Sequence, residues 1–241
     1  MNQKRLVLMV EGHGDAAAAP VLVKRLLKEQ GGFDVVFLDP DPIRIGHYPE
    51  VCKKETQKPF AKWHRLLKTC QKRENLGAVL LLLDGDSDWV WDHNGPVKGE
   101  PFCAMRAAQI LAQEARKVGG GYLFSVAVVF ACKELESWFI AAANSLVGKH
   151  PPDSRLILSQ PLPDIPPDPE TSPRDAKGWL GKRIPAGYNP VRDQKELAER
   201  VDLDLIRQKM RSFRRLDKAM KEIVQAIRDG RAISTPEFPL G

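Results

Sequence analysis

The sequence predicts an α/β fold in which helices flank a mostly parallel sheet and a helical appendage follows at the C-terminal end. Two observations favour this class. Short, fully apolar runs alternate with stretches in which apolar residues recur every three or four positions. Such runs are typical of parallel strands buried on both faces, and the recurring spacing is typical of amphipathic helices. Their alternation along the chain predicts βαβ units.

The first half of the chain supplies the predicted sheet. Strands are predicted at residues 6–10, 33–38, 78–83 and 123–130. Helices are predicted from about residue 15 to 31 and at 60–71, 102–118 and 134–146. Pro40 and Pro42 end the second strand because proline lacks the amide hydrogen of a ladder, and residues 43–56 are expected to form a loop.

The second half of the chain differs from the first in composition and in hydrophobic spacing. Prolines cluster between residues 151 and 173, a density that no regular element tolerates. Helices are then predicted at residues 194–200 and at about 204–228, followed by a loose tail at 233–241. We therefore predict a core domain at 1–148, a proline-rich arm at 149–192 and a helical appendage at 193–241.

Composition narrows the class of protein. The 241 residues are 43% hydrophobic and 28% charged, values of a globular chain, and the net charge of +6 weakly favours an anionic partner. The four cysteines contain no C-x-x-C pair. No leader-like segment begins the chain, and no apolar stretch approaches the ~18 residues of a membrane span. We expect a soluble cytoplasmic protein with reduced thiols and no membrane association.

Two acidic runs follow apolar strands. Residues 11–15 read EGHGD after the first predicted strand, and residues 84–88 read DGDSD after the third. Ligands collect outside the carboxyl ends of parallel strands, so these carboxylates are expected to meet there. Carboxylates brought together repel one another, and a hard divalent cation offsets that repulsion. The sequence therefore predicts a Mg²⁺ (or Mn²⁺) site.

The pattern EGxxD that begins at Glu11, with the pattern DxD that begins at Asp84, resembles the Toprim signature. Topoisomerases, primases, recombination mediators and the overcoming-lysogenization-defect nucleases share that domain. The resemblance implies that Glu11 acts as general acid/base or metal ligand, and that Asp84 and Asp86 bind the metal. Asp15 matches an acidic position of the nuclease branch, and Asp88 extends the DxD pattern by one carboxylate.

Over most of its length the chain resembles an uncharacterised prokaryotic family of Toprim-like domains. The matching features are the EG pair, the run LDGD at 83–86, the run ELESW at 134–138 and the run SFR at 212–214. The resemblance makes Glu134 a further catalytic or metal candidate. Glu136 ranks behind it because Glu134 lies nearer the strand end. A glutamate in a first helical turn also complements the helix dipole, so a structural role stays open.

Other interpretations compete with a Toprim site. Asp-Gly-Asp after a strand is also ordinary turn and N-cap chemistry. Haloacid-dehalogenase-like phosphatases use an Asp-x-Asp nucleophile, although theirs follows the first strand. We predict Mg²⁺-dependent phosphodiester chemistry on nucleic acid, with nuclease-type cleavage and with DNA favoured over RNA. The alternative is a non-catalytic module that binds nucleic acid, nucleotide or a protein partner in a defence or repair complex.

A stripe of cations marks the last predicted helix. Arg207, Arg211, Arg214 and Lys218 recur at helical spacing, one residue along from an apolar stripe. Like charges at this spacing destabilise a helix slightly, which favours a use for them, and phosphate backbones are a natural partner. The alternative is that their long stems cover the apolar face while the charges remain in water. Lys177, which follows the arm, is expected to extend the patch.

Overall fold

The computed structural model describes residues 2–55, 57–148, 154, 156, 158, 162 and 164–237. Its strands are β1 (Lys4–Val10), β2 (Val36–Leu38), β3 (Ile43–Arg44), β4 (Leu76–Gly85), β5 (Trp89–Asp92), β6 (Gly95–Pro101), β7 (Ser125–Cys132) and β8 (Ser234–Thr235). Its helices are α1 (His13–Glu29), α2 (Tyr48–Cys52), α3 (Ala61–Gln71), α4 (Ala104–Arg116), α5 (Glu136–Ala141), α6 (Ala176–Gly181), α7 (Pro190–Arg200), α8 (Leu203–Lys209) and α9 (Arg211–Arg228). The predicted fold class is confirmed: helices flank a mostly parallel sheet, and a helical region follows.

The main sheet is parallel, with strand order β2-β1-β4-β7-β8, and β3 pairs with the end of β1. β4 pairs with β7 along the whole of the latter strand. Because the strands run in one direction, the carboxyl ends of β1, β4 and β7 lie at one edge of the sheet. Glu11, Asp84 and the turn after Cys132 therefore lie at the same edge of the sheet. The hairpin of β5 and β6 forms a separate two-stranded sheet.

Two apolar layers cover the sheet. Leu80 and Leu82 face a cluster that includes α1, α5, α7, α8 and α9. Val79 and Leu81 face a second cluster that includes α2, α3 and α4. Successive side chains of a strand point to opposite faces, so one apolar run supplies both layers. The C-terminal helices thus share a core with the strands, and the division into domains stays a prediction.

Several elements of the first half differ from the predicted pattern. The second strand begins at Val36, because Gly32–Asp34 forms a turn of 3-10 helix. The expected loop at 43–56 contains both β3 and α2. The predicted helix at 134–146 is α5 followed by a 3-10 turn at Ala143–Leu146. Short apolar segments are ambiguous by spacing alone, because burial against distant elements decides their state.

The predicted long helix at 204–228 is two helices, α8 and α9, that meet at Met210. Met210 is extended (φ −107°, ψ 113°) and its side chain is buried. The carboxylate of Glu170 accepts a hydrogen bond of 2.6 Å from the backbone N–H of Ser212 and so caps α9. The apolar spacing continues through the break, and the cap comes from a distant loop. The prediction of one helix was therefore wrong.

The arm and the tail also contain regular structure. The second part of the predicted arm forms α6 and the start of α7, whereas prolines 151, 152, 161 and 163 lie outside the described residues. The tail, predicted to be loose, contributes β8, which pairs with Val126 and Ala127 of β7. Among the described residues, none of the helices is long and apolar enough to cross a lipid bilayer.

Candidate active site at the carboxyl edge of the sheet

Carboxylates from both acidic runs and from the turn after β7 meet at the carboxyl edge. Four of them are buried, with exposed fractions of 9% for Glu11, 8% for Asp15, 7% for Asp84 and 0% for Glu136. Glu134 lies beside them with 17% of its side chain exposed. We call these residues the acidic cluster: Glu11, Asp15, Asp84, Glu134 and Glu136. The sequence prediction that the two acidic runs converge is met by Glu11, Asp15 and Asp84.

Backbone amides hold three members of the cluster in place. The N–H of Gly12 donates to Oδ2 of Asp15 at 2.9 Å within the first turn of α1. The N–H of Asp84 donates to Oε2 of Glu11 at 3.3 Å, which joins β4 to β1. The N–H of Leu135 donates to Oδ1 of Asp84 at 3.0 Å, which joins the turn after β7 to β4. The three strand ends are thereby linked through carboxylates.

His47 is a member of the site that the sequence did not reveal. Its Nδ1 lies 2.5 Å from Oε1 of Glu11, and 69% of its side chain is exposed. β3 pairs with β1, and the N–H of Gly46 donates to the carbonyl oxygen of Glu11 at 3.2 Å, which places His47 there. Burial raises the pKa of Glu11, and the hydrogen bond and charge of His47 act in the opposite direction. No local motif signals this pair, because it depends on a short strand.

Glu136 lies deeper than Glu134, although the sequence ranked it second. Its Oε1 accepts hydrogen bonds from the hydroxyl of Tyr188 at 3.0 Å and from Nε2 of Gln194 at 2.8 Å. Its Oε2 is buried without a hydrogen-bond partner among the described residues. A Cβ on Gly14 would lie 2.7 Å from Oε1 of Gln194, so a glycine there lets α7 approach α1 closely. No sequence motif indicates Tyr188 or Gln194.

Lys177 lies against the acidic cluster. Its Nζ is 2.7 Å from Oε1 of Glu134. Burial lowers the pKa of Lys177, but the charge of Glu136 and the ion pair with Glu134 outweigh burial and raise it. Oε2 of Glu134 is buried and has no partner among the described residues. α6 thus carries Lys177 to the carboxyl edge, and the expectation that it extends the stripe stays a prediction.

The cluster carries more negative charge than its surroundings offset. Burial, followed by the charges of Asp15 and Glu11, raises the pKa of Asp84 well above its ordinary value. Burial is also the main cause that raises the pKa of Asp15 and of Glu136. Each shift means that the folded protein disfavours the ionised carboxyl. A bound cation would relieve this repulsion.

The other two aspartates of the second acidic run are open to solvent. Asp86 is exposed, and its negative charge contributes to the raised pKa of Glu11. Asp88 is exposed too, and its carbonyl oxygen accepts a hydrogen bond from the N–H of Phe102 where the chain enters the hairpin. Within the described residues, no three His, Cys, Asp or Glu side chains are arranged as a ready metal site. The cluster supplies the right donors but does not hold them in a closed shell.

Arg207 serves the fold rather than a free surface. It lies on α8, before the break, and is ion-paired with Glu29, with Asp204 at 2.5 Å and with Asp217 at 3.6 Å. Three carboxylates thus share its guanidinium. The expectation of one continuous stripe was wrong at this position, because the break at Met210 separates α8 from α9.

The other three predicted cations lie on α9. Arg211 pairs with Glu170 at 3.2 Å and is 79% exposed, and Lys218 lies 3.6 Å from Glu222 and is 67% exposed. Arg214 donates to the carbonyl oxygens that precede the helix break, at 2.7 and 3.2 Å. These three side chains therefore keep charge that is available to a ligand.

A family model described as "Domain of unknown function (DUF4276)" matches residues 10–221. The match begins at the last residue of β1 and ends within α9, so it includes the whole acidic cluster and the predicted cations. No curated protein matches the chain. No solved structure matches it either.

Proposed function

The chain belongs to the DUF4276 family, and we propose that it performs Mg²⁺-dependent (or Mn²⁺-dependent) phosphodiester chemistry on nucleic acid through a Toprim-like domain. Nuclease-type cleavage is the proposed reaction, with DNA as substrate in preference to RNA. The observation that carries the proposal is the acidic cluster. Its buried carboxylates come from the ends of β1, β4 and β7 and repel one another, which is the setting that a divalent cation requires.

The donor chemistry of the cluster suits Mg²⁺, which prefers carboxylate oxygens. Oε2 of Glu136 is buried without a partner, and an unpaired buried acceptor costs free energy that a ligand removes. Asp84 and Asp86 are the residues that would hold the cation. Asp15 and Asp88 are the accessory ligands that the sequence suggested, and the exposed Asp88 is the weaker of the two.

Glu11 is the proposed proton acceptor. Burial raises its pKa above the ordinary value, and a carboxylate with a raised pKa is a better general base. His47 binds one oxygen of the Glu11 carboxylate and the N–H of Asp84 binds the other, so the orientation of the group is fixed. When bound, Mg²⁺ lowers the pKa of a water and neutralises charge that develops on the phosphate.

The cations of α9 are the proposed phosphate contacts. Nε1 of Trp138 donates to Oγ of Ser212 at 2.8 Å, so the start of α9 lies beside α5, the helix that carries Glu136. Arg211 is the first residue of α9, and Arg214 and Lys218 follow along the helix. A strand held on these residues would begin near the acidic cluster. Phosphate contacts position a nucleic acid and do not read its sequence.

The first experiment compares Glu11→Gln with Glu114→Gln. Both glutamates are 9% exposed and both contact a histidine, but the Glu114 pair with His64 lies outside the acidic cluster. We expect the purified wild type to cleave DNA only with Mg²⁺ or Mn²⁺. Glu11→Gln should lose cleavage while remaining folded, and Glu114→Gln should retain it. Cleavage by Glu11→Gln at the wild-type rate would refute the assignment.

A second experiment measures the cation directly. We expect calorimetry to detect Mg²⁺ binding to the wild type and none to a variant with Asp84→Asn and Asp86→Asn. Mg²⁺ should raise the melting temperature of the wild type alone, because a ligand that binds the native state stabilises it. Equal Mg²⁺ binding by both proteins would contradict the predicted ligands.

The alternative function, a non-catalytic binding module, is favoured by two observations. The Lys177 ammonium already pairs with Glu134, and the described residues form no ready metal site. A cluster whose charge is partly offset by a lysine could serve a fold that binds nucleic acid, nucleotide or protein without turnover. Absence of metal-dependent cleavage by the folded protein, together with absence of Mg²⁺ binding, would favour this alternative.

A further inference from the structure

The edge of β7 that faces away from β4 is only partly covered. We propose that this edge docks an extended segment of a partner protein, in which acidic and apolar residues alternate, as an added parallel strand. The proposal concerns a surface outside the acidic cluster and does not depend on the chemistry proposed there. It shares Arg211, Arg214 and Lys218 with the proposed phosphate contacts, so a bound peptide and a nucleic acid would compete for these side chains.

The uncovered part of the edge begins where β8 ends. β8 pairs with Val126 and Ala127, and the N–H of Val126 donates to the carbonyl oxygen of Ile233 at 2.8 Å. Alternate residues of a strand direct their backbone groups to the same side, so those of Val128 and Phe130 also face this edge. The pairing of Ala127 with Thr235 already uses the N–H of Val128, so the carbonyl oxygen of Val128 and both backbone groups of Phe130 are the ones for which the described residues supply no further strand. An open edge of this kind is a template for strand addition.

A groove of 530 Å³ lies along this edge, between α4 and α9. Val128 and Phe130 line its floor, and Met105 and Ala108 line the wall formed by α4. Apolar side chains therefore cover one side of the space that an added strand would occupy. Met105 is 48% exposed, so part of this apolar wall is open to solvent and available to an added strand.

The opposite wall is cationic. Arg211, Arg214, Arg215 and Lys218 of α9 line it together with the carboxylate of Glu170. From outside the groove, Glu222 lies 3.6 Å from Lys218 and 3.9 Å from Arg215, so among the described residues four cations face two carboxylates. Glu170 is 4% exposed and is occupied by the cap of α9 and by Arg211. The wall therefore keeps an excess of positive charge. This charge and the apolar wall together define the occupant, which must present acidic groups to α9 and apolar groups to α4.

β8 shows that the side chains of an added strand alternate between the two sides of this edge. Thr235 accepts a hydrogen bond from Arg215 of α9, whereas Ser234 approaches Gly121 on the other side. A segment that continues the same parallel ladder would alternate likewise, because successive side chains point to opposite faces. Its acidic residues would reach Arg214 and Lys218, and its apolar residues would contact Met105.

A peptide fits this edge better than a nucleic acid strand. The backbone of Phe130 offers both an N–H donor and a carbonyl acceptor at strand spacing. A peptide supplies both complements, whereas phosphate oxygens only accept hydrogen bonds and leave the carbonyl unpaired. The apolar floor also favours side chains over a charged sugar-phosphate backbone.

The test uses the full chain and three labelled probes: a short peptide of alternating glutamate and valine, its lysine–valine counterpart, and a single-stranded oligothymidylate. We expect the glutamate peptide to bind and the lysine peptide not to bind. Bound peptide should slow hydrogen exchange at the amide of Phe130, measured by NMR, because that N–H gains a partner. Binding without this protection, or no binding of the glutamate peptide, would overturn the proposal.

A matched pair of variants locates the contact. Lys218→Glu should weaken binding of the glutamate peptide by about fivefold or more, because an attractive ion pair is replaced by repulsion between like charges. Lys221→Glu is the control, because Lys221 is on the same helix, is 62% exposed and has a carboxylate partner four residues away, but does not line the groove. Equal loss in both variants would overturn the proposal. The proposal would also be overturned if the oligothymidylate bound more tightly than the glutamate peptide and Lys218→Glu abolished that binding. This outcome would assign the groove to nucleic acid.

Discussion

Replacement of Lys177 by methionine removes the ammonium that contacts the acidic cluster and keeps most of the side-chain length. In the wild type, Nζ lies 2.7 Å from Oε1 of Glu134, and the two side chains are 42% and 17% exposed. We expect the variant to be less stable without metal, because the cluster loses its contacting cation. We also expect Mg²⁺ to restore more stability to the variant than it adds to the wild type, since the divalent ion replaces the lost charge.

The magnitude follows from the exposure of the pair. Exposed ion pairs contribute about 0–1 kcal/mol, and removal of one partner of a fully buried pair costs about 3–5 kcal/mol. The Lys177 pair is intermediate, so a loss of about 1–2 kcal/mol is expected. In a chain of this size, that loss lowers the melting temperature by roughly 2–8 °C.

The assay is thermal and urea unfolding with and without Mg²⁺, and the control is Lys117→Met. Lys117 is also 2.7 Å from a glutamate, Glu114, with side chains 62% and 12% exposed, but that pair lies outside the acidic cluster. The control should lose about 1 kcal/mol or less and gain no response to Mg²⁺. The reasoning is refuted if Lys177→Met has the melting temperature of the wild type, or if Mg²⁺ raises the melting temperatures of the variant and the wild type equally.

Three further outcomes are expected. Asp84→Asn should raise the free energy of unfolding at pH 8 without metal by on the order of 1–2 kcal/mol. Burial and neighbouring charges raise the folded pKa of Asp84, so the ionised carboxylate destabilises the wild type as pH rises through that pKa. Urea unfolding should therefore show that the stability gained by the variant fades toward acid pH. His47→Ala should lower cleavage about 10–100-fold and change stability by less than about 0.5 kcal/mol, because an exposed side chain orients Glu11; unchanged kinetics across pH would contradict this. Arg207→Gln should destabilise the fold by about 1–2 kcal/mol and change the slope of log K against log salt for DNA binding by less than the ~0.9 expected for one phosphate contact. A change of ~0.9 or more would show that Arg207 contacts DNA.

The parallel sheet and the position of the acidic runs could be predicted from the sequence because both are local properties. β4 is apolar on both faces, and a strand of that kind must be covered by helices. Carboxylates that directly follow such strands share the edge at which parallel strands end. The proximity of Glu11 and Asp84 could therefore be predicted without knowing the structure of any loop.

The remaining members of the site depend on contacts between distant segments. His47 reaches Glu11 only because β3 pairs with β1, and two residues of strand carry too little pattern to be recognised. Gln194 reaches Glu136 only because α7 packs on α1, where Gly14 permits close approach. Lys177 reaches Glu134 through α6, in a segment whose prolines suggested no regular structure.

The break between α8 and α9 shows the same limit. The apolar spacing is continuous from residue 206 to 227, and periodicity is all that a single sequence offers. Glu170 caps the new helix from 42 residues away, and Arg207 is thereby held apart from Arg211. Hydrophobic period fixes which residues face the core, because burial acts on each residue in turn. Which polar groups meet is decided by packing, since each hydrogen bond and ion pair needs two segments placed by everything between them.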